Sequence, residues 1–186
     1  MIIAMAGLPG VGKSTLARAL ASRLDAVVLD KDQVRANLFP PSHVDYTLDQ
    51  DDFCVDVMYR TSRWLLERQR ATTVILDGCT YTRRYQVDTL REVVADLGTE
   101  LRIIECACDD DVAVARLERD RAAGRHPAVN RTPALYWEFQ AAAETIPPPK
   151  LTVDTNRPVT EEVAECLAHL TSTPRVTATE LGATAR

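Results

Sequence analysis

Long apolar runs are missing from this 186-residue chain. No segment approaches the roughly 20 apolar residues that a membrane-spanning helix needs, so a membrane protein is not expected. The apolar run Met1 to Ala6 is too short for the core of a signal peptide and has no basic leader, which points to a cytoplasmic protein. Aromatic residues make up only 5% of the chain, and 22 Lys and Arg against 27 Asp and Glu leave a net charge of −5. A broad nucleic-acid surface would show a basic tract with interleaved aromatics; its absence disfavours a nucleic-acid partner while leaving room for a local basic groove. Cysteine is sparse and unpaired in pattern: Cys54, Cys79, Cys106, Cys108 and Cys166 are odd in number and lack C-x-x-C spacing. Buried reduced thiols are expected. Cys106 and Cys108 alternate on what reads as a strand, so both sulfurs should face one side of a sheet as packing groups, since no further ligands accompany them.

What remains is a soluble α/β pattern, 46% hydrophobic and 26% charged. Apolar runs at Met1–Ala6, Ala26–Leu29, Thr73–Leu76, Leu101–Cys106 and Leu151–Val153 read as five strands. Between and after them fall helical patterns at Lys13–Arg23, Lys31–Leu38, Leu48–Arg70, Arg83–Leu97, Asp110–Ala123, Pro133–Glu144 and Thr160–Leu170. That alternation implies a parallel sheet covered on both faces. Gly98 and Gly124 stand where helices commonly stop, Pro133 and Thr160 where they start, and Asp109 or Asp110 can cap the fifth. One domain over residues 1–170 is expected, with 171–186, which lack apolar periodicity, as a flexible tail.

The first strand runs directly into Gly7-Leu8-Pro9-Gly10-Val11-Gly12-Lys13-Ser14-Thr15, the pattern G-x-x-x-x-G-K-[ST]. Glycines at these spacings let the backbone wrap a phosphate chain with its N–H groups inward. Lys13 then reaches the β- and γ-phosphates, Ser14 offers a hydroxyl to Mg²⁺, and the helix starting here aims its positive end at the phosphates. A nucleoside triphosphate is the implied ligand.

Phosphoryl transfer also needs a metal-organising carboxylate, a group that handles the acceptor hydroxyl, and positive charge over the moving phosphoryl group. Val74-Ile75-Leu76-Asp77-Gly78 ends a strand in a carboxylate, the place for a Mg²⁺-organising residue; the plainer reading is a turn opened by Asp77 and Gly78. Asp32 follows the second strand, opens towards the phosphate loop and is the candidate general base. Arg35, one turn further, would hold an anionic or polar part of the acceptor; the plainer reading is an i,i+3 ion pair beside a helix cap. Arg116, Arg119, Arg121 and Arg125 gather around a helix end followed by His126, where a mobile loop could carry an arginine over the nucleotide, or where the charges are simply solvated.

These residues resemble the small P-loop kinases, a group that includes 5′-hydroxyl polynucleotide kinases, gluconate kinases, adenylylsulfate kinase and chloramphenicol phosphotransferases. The resemblance runs from Met1 to about Leu170 on Gly7–Thr15, Leu29–Arg35, Val74–Gly78, Arg116–Arg121 and Val153–Asn156. It implies a P-loop fold of nucleotide-kinase type, with strand order 2-3-1-4-5, helices on both faces and a helical lid, here about 116–132. It implies further that Gly7, Gly10, Val11, Gly12, Lys13, Ser14 and Thr15 bind ATP phosphates with Mg²⁺, and that Asp32 activates the acceptor beside Arg35. Arg116 would lie against the adenine, Arg119 or Arg121 over the γ-phosphate, and Thr155 and Asn156 at the base. Gly78-Cys79-Thr80 departs from the Ala-Thr-Asn more usual in the polynucleotide kinases.

The leading expectation is thus an ATP- and Mg²⁺-dependent kinase for a hydroxyl on a small molecule such as a sugar, sugar acid, nucleoside or antibiotic. A polynucleotide 5′-hydroxyl kinase shares every catalytic residue, and a nucleotide-dependent switch shares the phosphate loop. The switch has no use for Asp32 near an acceptor, whereas a kinase does. Tyr46, Tyr59, Tyr81, Arg83 and Arg84 are possible walls of the acceptor pocket, unranked by sequence.

Overall fold

A computed structural model describes residues 1–124, 128 and 130–172. Strand β1 (Ile2–Ala6) is buried at every residue and lies at the centre of a parallel sheet. Its sequence, apolar on both faces, demands cover from two sides. Around it, β2 (Val27–Asp30), β3 (Val74–Asp77), β4 (Leu101–Ala107) and β5 (Leu151–Asp154) pair in the order β2-β3-β1-β4-β5. In the connections run α1 (Lys13–Leu24), α2 (Lys31–Leu38), α3 (Leu48–Glu67), α4 (Arg84–Asp96), α5 (Asp110–Ala122) and α6 (Pro133–Ala141), with α7 (Val159–Ser172) last.

Period-two alternation divides the core. Ile3 and Met5 point into one layer with Leu16, Leu20, Ile104, Val153 and Cys166, closed by α1, α5 and α7. Ile2, Ala4 and Ala6 point into the other with Met58, Leu76, Val87 and Leu90, closed by α3 and α4. Among the described residues no helix is long and apolar enough to cross a membrane.

The strand and helix pattern matches the sequence expectation, with differences at element ends that have local causes. α3 stops at Glu67, not Arg70, because Gln69 turns to φ 52° and the Arg70 N–H folds back to the Leu65 carbonyl at 2.8 Å. α6 stops at Ala141, not Glu144, since the chain is drawn across the molecule: the Glu144 N–H donates to the Thr82 carbonyl at 2.9 Å and its carboxylate accepts from the Arg84 N–H at 2.6 Å. Cys108 lies one residue beyond the end of β4, although it packs against the same core layer as Cys106. All five thiols are free, and four are buried. Thr171 and Ser172, expected in the tail, complete the last turn of α7; residues 173–186 lie outside the described residues.

The turn after β1 depends on a bare backbone. Gly7 sits at φ +121°, and a Cβ there would fall 2.3 Å from the Cys106 carbonyl oxygen. Gly7→Ala is therefore expected to destabilise the fold by about 2–4 kcal/mol, combining backbone strain with a clash against a strand that cannot retreat. Gly98, at φ +59° with nothing within 4 Å of its own imagined Cβ, serves as the control. Gly98→Ala should cost about 1 kcal/mol in the same denaturant titration; equal costs at the two positions would contradict the steric reading.

Candidate active site

The phosphate loop is shaped by what packs against it. Gly10, at φ +82°, meets α5 so closely that a Cβ would stand 2.6 Å from the Ala113 carbonyl oxygen and 2.9 Å from Leu117 Cγ. Gly12 caps α1 in the left-handed region with no side-chain bond, which leaves the first backbone N–H groups of that helix for an anion. Lys13 is buried, 7% exposed, and its ammonium donates to the Gly7 and Leu8 carbonyls at 2.7 Å each. Burial, followed by the charge of Arg131, lowers its pKa to about 8 against the pull of Asp77, Cys106 and Asp32.

That value sets a pH dependence. An anionic phosphate chain binds the protonated lysine, so below pH 8 the charge is already present, and above it each binding event must take up a proton. Triphosphate affinity is expected to fall by up to tenfold per pH unit above about 8. Calorimetric titration at pH 7 and pH 9 in buffers of different ionisation enthalpy checks it: proton uptake should be small at the lower pH and approach one at the higher. Equal uptake at both would place the titration elsewhere.

Beside Lys13 the carboxyl ends of β2 and β3 bring carboxylates together. Asp30 and Asp77 are register partners. Asp30 caps α2 by accepting from the Asp32 N–H at 2.9 Å and the Gln33 N–H at 3.4 Å; burial first, and then Asp77 and Asp32, raise its pKa. Asp77 is 1% exposed, and its Oδ1 is buried without a hydrogen-bond partner. Such an oxygen calls for a cation or an ordered water. Among the described residues no group of three or more His, Cys, Asp or Glu could hold a metal alone. The residues therefore fit Mg²⁺ carried mainly by phosphate oxygens and water, with Ser14 on the cleft wall; Asp77, expected as the metal carboxylate, is buried and does not line the cleft, so it would act through water.

Asp32 and Arg35 face the same cleft, of about 680 Å³, as Lys13, Ser14 and Thr15. Arg35 is turned into a network rather than held open. One amino group donates to Asp32 Oδ1 at 3.0 Å, another pairs with Asp51 on α3, and the guanidinium lies 5.0 Å from the Tyr46 ring centre. Lys31 donates to the second oxygen of Asp51 at 2.6 Å.

On the opposite wall, Arg116 donates to the Thr155 carbonyl at 2.8 Å, and its other amino group is buried near Gly12. Thr155 is 2% exposed and ties the phosphate loop to the sheet, its hydroxyl donating to the Val11 carbonyl at 2.7 Å. Arg119 lines the cleft. Arg121, one position past the next residue on α5, is exposed and does not; nor does Asn156, whose side-chain oxygen accepts the Asp109 N–H at 3.3 Å. Gly7 and Val11, expected at the phosphates, do not line the cleft either; both are buried. Arg125 and His126, within the expected lid, lie outside the described residues.

Sequence reasoning missed Asp51, Arg18 and Glu162 and gave no role to Lys31, inside the Leu29–Arg35 motif, or Arg131, inside the expected lid; all five are on the cleft wall. Glu162 on α7 is 5% exposed, and burial raises its pKa. Of the charges that act on it, Arg157 and Asp154 are near in sequence and Arg116 lies on α5. A second hollow of about 210 Å³ adjoins the cleft at Lys31, Tyr46, Asp51 and Thr80; Asp52, Thr82, Arg83 and Phe139 complete much of its wall. Of the aromatic and arginine candidates, Tyr46 and Arg83 reach it, whereas Tyr59 and Tyr81 are buried in the core and Arg84 is exposed.

Residues 2–135 match the model of a family described as AAA domain. The chain belongs to that family. No curated protein matches it. Solved structures with the same architecture include the APS kinase CysC of Mycobacterium tuberculosis in complex with AMPPNP and APS, 19% identical, covering 92% of this chain and 97% of its own, with a TM-score of 0.70. A gluconokinase from Sinorhizobium meliloti is 20% identical over 91% of this chain and 90% of its own, with a TM-score of 0.64. Kti12 of Chaetomium thermophilum, in complex with ADP-AlF3, is 12% identical over 90% and 98%, also with a TM-score of 0.64. At such identities the likeness concerns the fold: this AAA-domain protein has the α/β fold of the small P-loop kinases, with the sheet order 2-3-1-4-5 that the resemblance implied.

Proposed function

We propose that the protein is an ATP-dependent kinase that transfers the γ-phosphoryl group to a hydroxyl of a small molecule. The observation that carries this reading is the opening of Lys13, in its glycine cradle, and Asp32, in the first turn of α2, onto one cleft. A switch would need only the first of these.

Each residue then has a task. The backbone of the loop and the ammonium of Lys13 hold the β- and γ-phosphates, and Asp32 takes the proton of the acceptor hydroxyl as it attacks in line. Mg²⁺, bound with the nucleotide at Ser14 and Asp77, would supply charge neutralisation of the phosphate oxygens. Arg119 offers its guanidinium from the lid side, and Arg116 with Thr155 marks the base side. The adjoining hollow of about 210 Å³ serves as the acceptor end; it is smaller than the range of drug-sized sites and suits a small molecule better than a strand.

The test is incubation with ATP and Mg²⁺ and a panel of acceptors: neutral sugars, sugar acids, nucleosides, aminoglycoside and phenicol antibiotics, and 5′-hydroxyl RNA. A mass increase on one small-molecule class supports the reading and names the class. Phosphorylation of RNA alone would replace it with a polynucleotide kinase.

A further inference from the structure

The second carboxylate bound by Arg35 comes from a different helix, and its role is separate from the expected one of contacting the acceptor. Asp51 stands near the start of α3 and divides its two oxygens between Lys31 and Arg35, both on α2. Arg35, 3% exposed, divides its guanidinium in turn between Asp51 and Asp32. Tyr46 covers one face of that guanidinium. The segment bearing Tyr46 is itself fastened, with the Gln50 side chain donating to the His43 carbonyl at 2.8 Å and accepting the Asp45 N–H at 3.2 Å.

A planar fork hydrogen-bonded to Asp32 through one amino group, ion-paired with Asp51 through the other and covered by Tyr46 on one face has a single orientation. Remove the Asp51 contact and the guanidinium keeps Asp32 and a ring, about which it can pivot, and the full charge of Arg35 falls on Asp32. We propose that Asp51 is a positioning residue that fixes the direction of the Asp32 carboxylate through Arg35, which serves as an internal strut between the two. This rests on the kinase reading for its catalytic consequence, while the lock itself is a property of the folded protein.

Asp51→Asn is expected to lower kcat about 10- to 100-fold, as loss of an orienting partner commonly does, with the Kd for ATP unchanged. Asp51→Glu should recover part of the loss. In an Arg35→Lys background, which already loses the two-pronged grip, Asp51→Asn should add nothing further. Wild-type kcat in Asp51→Asn, or fully additive losses in the double variant, would overturn the proposal. If Asp51→Asn fails to fold, Arg35→Lys decides, since a lysine cannot bridge both carboxylates: kcat should fall to the same extent, and wild-type turnover would count against the lock. Nitrogen NMR of the guanidinium reads the lock without turnover. Arg35 should show slowed rotation with resolved terminal nitrogens, averaged in Asp51→Asn; free rotation in the wild-type protein would overturn the lock. A wild-type protein that phosphorylates no acceptor yet shows that slowed rotation would defeat the kinase reading and leave the strut standing.

Discussion

Replacing Asp32 by Asn is expected to lower kcat for phosphoryl transfer by about 10²–10⁴-fold while the Kd for ATP stays within about twofold. The carboxylate lies after β2, on α2, outside the glycine cradle that holds the phosphates, so the isosteric amide removes a proton acceptor without disturbing the loop. The amide oxygen can still accept from Arg35, which keeps the local packing. Rapid-quench measurement of labelled acceptor, paired with calorimetric titration of ATP, separates the two quantities. Loss of nucleotide affinity in step with kcat would mean that Asp32 organises the nucleotide and is not the base; wild-type kcat would remove it from the reaction.

Lys13→Met should separate function from stability. Transfer is expected to fall by about 10²–10³-fold or more, because on the proposed reading the ammonium is the buried charge at the phosphate loop that stabilises the phosphoryl oxygens. Stability should hold or rise. Holding a cation at a pKa of about 8 instead of the unperturbed 10.5 costs the fold about 3 kcal/mol at neutral pH, against about 1 kcal/mol for each of the two carbonyl hydrogen bonds that methionine gives up. The sign shows in the pH profile. Between pH 8 and 10.5 the unfolded chain binds the proton that folded Lys13 has lost, so wild-type stability should gain across that window from this group, and Lys13→Met should lack the gain. Denaturant titrations at pH 7 and pH 9.5 would show it; parallel profiles for the two proteins would mean that the buried ammonium carries no such cost.

The sheet was legible because its strands are short apolar runs between amphipathic helices, and the phosphate loop because its glycines, Lys13 and Ser14 are contiguous. Helix ends were less so: nothing in Gln140 to Glu144 foretells that the Glu144 N–H leaves the helix to bond Thr82, a partner distant in sequence. Arg121 illustrates a different limit. It shares a run with Arg116 and Arg119, but at helical spacing Arg119 shares a face with Arg116 while Arg121, five residues on, turns away; only which face α5 presents to the cleft depends on its packing against Gly10. Asp51 sits in Leu48-Asp49-Gln50-Asp51-Asp52, where the first-turn carboxylates read as ordinary helix-start charges. Its bond to Arg35 depends on how α3 packs against α2, and no periodicity encodes that.

The most direct test is the fate of the γ-phosphoryl group. With γ-labelled ATP, Mg²⁺ and the acceptor panel under single-turnover conditions, the label should appear on a hydroxyl of a small molecule, and inorganic phosphate should form slowly without that acceptor. Label recovered only as inorganic phosphate, at a rate no acceptor changes, would contradict transfer and make the cleft that of a hydrolysing switch.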